Sequence, residues 1–289
     1  MKQQQLSRRL LDIECIILGP GGRKFTAVGA LFSFLTGILL FMLVYVPLSF
    51  FRGSGWGVDM FFHGGPENRS VIPYVTVFLG CWAMAILLIK LQKLHVQRKA
   101  LELKILPADA NFVLTCATAR EILENISLQV VTPRDFVLLD RIQRALMNLK
   151  NLGNVSAVAE CLNTQARNDE DYLSSTYTVL KGFIWAIPVL GFIGTVLGLA
   201  EAIGGFGAVV KKGVNDPQEL ISALGNVTGG LSTAFETTLI ALVIALIIQL
   251  LMTVVLNKEE RFLDECSDYC HRCLISKIKS VDLAADDDL

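Results

Sequence analysis

FIWAIPVLGFIGTVLGLAEAIGGFG, residues 183–207, sits inside a longer apolar stretch in which Gly182 to Ala200 gives 19 residues without an ionisable group. At about 1.5 Å rise per residue that is roughly 28 Å, close to the ~30 Å hydrocarbon core of a bilayer. The stretch predicts a transmembrane helix. Pro188 interrupts it, and Gly191, Gly194 and Gly198 leave one flat face on which a second helix can approach closely. Thr195 places a single hydroxyl in the middle of that face.

The composition agrees. The chain has 289 residues, 53% hydrophobic and 18% charged, with a mean hydropathy of +0.52. Soluble domains carry about 25% charged residues, so a membrane class is favoured. A net charge of -1 offers no basic footprint for nucleic acid.

Working outward, Phe25–Phe51 has no charged residue in 27 positions and predicts a first span, too long for a signal-peptide core. Residues 70–89 are 20 uncharged positions and predict a second. Residues 180–207 form the third, and 224–257 the fourth, with Glu236 the one ionisable residue among the 33 from Leu224 to Leu256. Lys2, Arg8, Arg9, Arg23 and Lys24 precede the first span, and Lys90, Lys93, Arg98, Lys99 and Lys104 follow the second. By the positive-inside rule both flanks are cytoplasmic. The 52–69 link and the 208–223 segment then face outward.

Residues 1–24 contain Leu6, Leu10, Ile13 and Ile17 at helical spacing. An amphipathic helix on the membrane and one packed on a cytoplasmic domain are both open. Residues 90–179 read as a helical cytoplasmic insert. Within it, Thr132 as N-cap with Pro133 and Asp135 predicts the start of a helix through FVLLDRIQRALMNL. Asn168, followed by Asp169, Glu170 and Asp171, predicts a second start, opening a helix that runs unbroken into the third span. Asn215 or Asp216 is expected to start a short helix before the fourth span. Residues 258–289 predict a cytoplasmic helix and an acidic tail. The fold class is therefore all-α: an integral membrane protein with four transmembrane helices and a helical cytoplasmic domain.

Cys266, Cys270 and Cys273 with His271 look like a metal cluster, but the i, i+4, i+7 spacing is one helical stripe and there is no second ligand pair, so packed thiols and no metal are expected. His95 on a basic stretch is expected to be solvated or packed. The insert shows no Ser/His/Asp set, phosphate loop or HExxH. No enzyme and no cofactor are predicted.

PVLGFIGTVLGL at 188–199, followed by GGLSTAFETTLIALVIA at 229–245, resembles the two pore-lining helices of the MotA/TolQ/ExbB family of ion-driven inner-membrane motors. The four-span layout is similar to its MotA branch. The resemblance implies a proton- or sodium-conducting subunit of the bacterial inner membrane, with N- and C-termini cytoplasmic, that assembles as a pentamer around a dimer of a single-span MotB/ExbD/TolR-like partner bearing a transmembrane aspartate. It implies further that Thr195 and Thr238 line the ion path. Where ExbB and TolQ carry a glutamate, this chain has Thr233, and Glu236 is the nearest acid. From the residues alone, membrane threonines bonding back to their own helix is the competing reading. A non-conducting scaffold recruiting cytoplasmic partners is the alternative function.

Overall fold

The structure, a computed structural model, describes residues 25–51, 61, 71–101, 114, 116–129, 133–152, 155–211 and 217–278. The expected N-terminal helix of residues 1–24, the Thr132 cap, Asn215, Asp216 and the acidic tail lie outside them. The described chain is all-α: α1 (Ala30–Phe50), α2 (Ile72–Leu101), α3 (Cys116–Gln129), α4 (Val137–Leu152), α5 (Val155–Thr176), α6 (Thr178–Lys211) and α7 (Pro217–Cys273). Among the described residues the only β pairing is an isolated parallel bridge between Leu114 and Ile278. Four helical stretches are long and apolar enough to cross a membrane, with mean hydropathies from 2.1 to 3.0.

The described residues fall into two compact units. One lies within Ser33–Leu87 and Thr178–Thr253 and holds the apolar spans. Here α1 meets α2 where Gly37 removes a side chain. A Cβ at Gly37 would stand 3.0 Å from the Trp82 Cα, and the Trp82 indole N–H donates to the Ser33 hydroxyl at 3.1 Å. Trp82 also packs on Phe34 and Phe183. Between α2 and α7, Val77, Cys81 and Ile240 form a buried cluster against which Leu40, Phe41 and Ile244 pack. The outer faces carry exposed Leu39, Met42, Phe192, Leu242 and Leu246. So much contiguous apolar surface suits lipid or protein neighbours rather than water.

The other unit lies within Met1–Phe32, Leu88–Tyr177 and Val254–Leu289. Its core forms because α4 repeats Leu138, Ile142, Leu146 and Leu149 at three- and four-residue spacing, all buried. Buried charges are paired around them. Arg141 donates to Asp169 at 2.7 Å and to the Ser267 hydroxyl at 2.7 Å, and Gln165 donates to Asp140 at 3.2 Å. Lys90, 1% exposed, pairs with Glu259, 2% exposed, at 3.1 Å. The Tyr177 phenol donates to the same Glu259 carboxylate at 2.7 Å, and Lys90 donates to Thr176 at 2.9 Å.

Three local expectations are corrected. Pro133–Asp135 is a 3-10 turn, and α4 proper starts at Val137, whose N–H is accepted by the side chain of Gln97 from distant α2. Asn168–Asp171 lie in the middle of α5 rather than at a start, because Asp169 pairs with Arg141 instead of capping a helix. The helical stretch of residues 155–208 runs on into the third span with a single-residue turn at Tyr177, whose N–H reaches back to Ser174 at 3.2 Å. The helix started before the fourth span is not a separate short one either. Pro217–Cys273 is one helix of 57 residues.

Removing one member of a buried ion pair strands the other's charge, at a cost of about 3–5 kcal/mol, whereas replacing both by apolar residues is far milder. Lys90→Met is therefore expected to lower the thermal unfolding temperature of the detergent-solubilised chain sharply. Lys90→Met with Glu259→Leu recovers most of it. Equal melting temperatures for the single and double variants would show that the charges do not act as a pair.

Candidate ion-conducting site

The flat face read from the sequence is occupied by α7, and the two helices run antiparallel. A Cβ at Gly191 would lie 2.5 Å from the Ala241 Cβ, one at Gly194 2.8 Å from the Thr237 hydroxyl, and one at Gly198 3.1 Å from the Ala234 Cβ. From the α7 side, Gly230 answers with Ala202 at 2.8 Å. Real side chains do not approach this closely, so glycine is required at Gly191. Pro188 lies inside α6, one turn before this contact.

This approach brings polar atoms across the interface. The Thr238 hydroxyl donates to the Gly191 carbonyl at 2.8 Å. In an α-helix that carbonyl also accepts the backbone N–H of Thr195, four residues on. The two threonines expected to act together thus share one acceptor group. The Thr195 hydroxyl itself donates to the Phe192 carbonyl of its own helix at 2.6 Å. Both side chains are half-buried, at the edge of the contact rather than inside it.

Glu236 and Thr233 are placed differently. The Thr233 hydroxyl donates to Gly229 of its own helix at 3.1 Å. Glu236 is 6% exposed and accepts from the Ser232 hydroxyl at 3.1 Å. It lies one turn before Ile240, which packs on Val77 and Cys81 of α2. About 160° of helical rotation separates it from Thr238. The structure therefore sets Thr238 against the α6 backbone beside Thr195, whose own hydroxyl stays on its helix, and sets Glu236 on the other flank of α7.

Sequence reading passed over Thr237, buried against Gly194 with its hydroxyl on the Ala234 carbonyl at 2.8 Å. Its signal was the spacing of small residues Gly230, Ala234, Thr237 and Ala241, one α7 face complementary to the α6 glycines. Among the described residues no three His, Cys, Asp or Glu side chains converge to hold a metal. Beyond the apolar run of α7, burial pushes the Cys266 and Cys270 thiols up to about 12, so at neutral pH they stay protonated and poor ligands. His95 is exposed.

With four helical stretches long and apolar enough to cross a membrane, the class is a multi-pass membrane protein. Residues 132–267 are similar to the MotA/TolQ/ExbB proton channel family. The match spans α4 to most of α7 and so includes the whole α6–α7 contact. No curated protein and no solved structure matches the chain.

Gly191→Ala is expected to force α6 and α7 apart and break the Thr238 hydrogen bond, while Gly191→Ala with Ala241→Gly restores it. Gly182→Ala, with nothing within 4 Å of its Cβ, should instead hold or raise stability by up to about 1 kcal/mol. Unfolding midpoints of the three variants decide this. A destabilised Gly182→Ala beside a neutral Gly191→Ala would refute the assignment of the close contact.

Proposed function

We propose that this chain forms the channel wall of a two-component, ion-driven motor of the bacterial inner membrane, with both termini in the cytoplasm. Five copies surround two copies of a single-span partner whose transmembrane aspartate takes up and releases the ion. The observation that carries this reading is the Thr195–Thr238 pair, half-buried at the edge of the α6–α7 contact on an otherwise apolar surface. A hydroxyl donates and accepts, so it can serve a hydrated cation or a partner's carboxylate without itself titrating. The chain supplies no aspartate within its own spans, which suits a wall that borrows its titrating acid. Pro188, Gly191, Gly194 and Gly198 shape the helix contact that presents the hydroxyls. Glu236 and Thr233 lie on the same helix as Thr238, with Glu236 on its α2 flank, and would serve the path from there.

Thr195→Val keeps the shape and removes the hydroxyl. Ion-driven work is expected to fall at least tenfold while the intact complex keeps its mass by native mass spectrometry. That mass should correspond to five copies of this chain with two of a smaller partner. Full activity in Thr195→Val, or a complex holding no partner, would instead support a non-conducting scaffold.

A further inference from the structure

Between Leu239 and Leu256, 18 consecutive residues of α7, Gln249 and Thr253 are the two polar side chains. Both are exposed on this chain. Thr253 satisfies itself by donating its hydroxyl to the Gln249 backbone carbonyl at 2.9 Å. Among the described residues the Gln249 carboxamide makes no hydrogen bond. An amide left unpaired in hydrocarbon costs several kcal/mol, about 4–8 on the cyclohexane scale. Polar side chains in spans accordingly face protein or a wet cavity.

The direction in which Gln249 stands is set by helix geometry. It follows Thr238 by eleven residues, about three turns, so the two point within roughly 20° of each other. On α6, Ile184 precedes Thr195 by the same eleven residues and shares its direction equally closely. Pro188 has no N–H, so the Ile184 carbonyl loses its helical donor and is a second under-used polar group. In an antiparallel pair Thr195 and Thr238 lie to the same side of the contact, and Ile184 and Gln249 therefore do so too. The register agrees: Gly191 stands against Thr238 and Ala241, and nine residues further toward the α6 N-terminus Gly182 comes level with the neighbourhood of Gln249. Both groups lie about 16 Å from the threonines along their helices, toward the Lys181 end of α6.

We propose that Gln249 and the backbone carbonyl of Ile184 line the second leg of the ion path, from the Thr195–Thr238 hydroxyls to the Lys181 end of α6, carrying a hydronium ion or a partly hydrated monovalent cation. This rests on the ion-path reading above. Neutral carbonyl and carboxamide oxygens suit that task, because they replace part of a cation's hydration shell without holding it as a carboxylate would.

The test uses the whole complex as purified from cells producing the full chain. Gln249→Cys should react with a small, water-soluble, positively charged thiosulfonate, whereas Leu250→Cys, about 100° around the helix, should not. In vesicles of phosphatidylethanolamine and phosphatidylglycerol, Gln249→Leu should cut proton or sodium entry under an imposed potential at least tenfold, and Gln249→Asn should cut it less. An unreactive Gln249→Cys, or a Gln249→Leu complex that conducts normally while Thr195→Val does not, overturns the second leg and leaves the ion-path reading standing. Normal conduction in both valine and leucine variants removes both. A Gln249→Leu chain that no longer assembles marks the amide as a contact between subunits and also overturns the proposal.

Discussion

The backbone-to-backbone approach of α6 and α7 is the constraint from which the rest of the membrane unit follows. Lipid tails are as apolar as leucine side chains, so burying leucine against leucine gains little there, and helices must find packing contacts and hydrogen bonds instead. Gly191 meeting Ala241 is such a contact: no larger residue fits. Only because the two backbones come this near can the Thr238 hydroxyl reach a carbonyl of the other helix. The placement of both threonines at the rim of the contact is thus a consequence of the glycines rather than a separate design.

In the second unit polar groups do the specifying. Glu259 receives Lys90 and the Tyr177 phenol, while Arg141 spans Asp169 and Ser267. Each charge is buried and answered, which fixes which helix faces which partner at a desolvation cost the attraction roughly offsets. The ammonium of Lys90 also stands 4.1 Å from the centre of the Tyr177 ring, so the residue at the turn between α5 and α6 is held through both its hydroxyl and its π face.

The membrane spans were legible because long charge-free runs have few alternatives to a helix in hydrocarbon. The close α6–α7 approach was legible through glycine spacing, whereas the Thr195 hydroxyl turns back to its own helix, as membrane threonines often do. What the sequence hid were interactions between residues far apart in the chain. Asp169 within a run of acids looks like a helix start, and only its Arg141 partner makes it an interior residue. Gln97 as the acceptor for Val137 joins residues 40 apart, beyond any local capping signal. Lys90 reads as an orientation-setting surface charge, yet it is buried with Glu259. Glu236 sits three residues after Thr233 and looked like a neighbour of the hydroxyls, whereas helical rotation carries it to the α2 flank.

The separation of 169 residues between Lys90 and Glu259 has a bearing on how the protein is made. At about 5–20 residues per second, a ribosome needs on the order of ten to thirty seconds to supply the carboxylate after the ammonium has appeared. Throughout that interval Lys90 has no counter-charge, and stripping its water would be expensive. The nascent chain must hold it hydrated until the fourth span has been synthesised, so the unit built around this pair closes only after Glu259 has emerged and is exposed to chaperones and proteases until then.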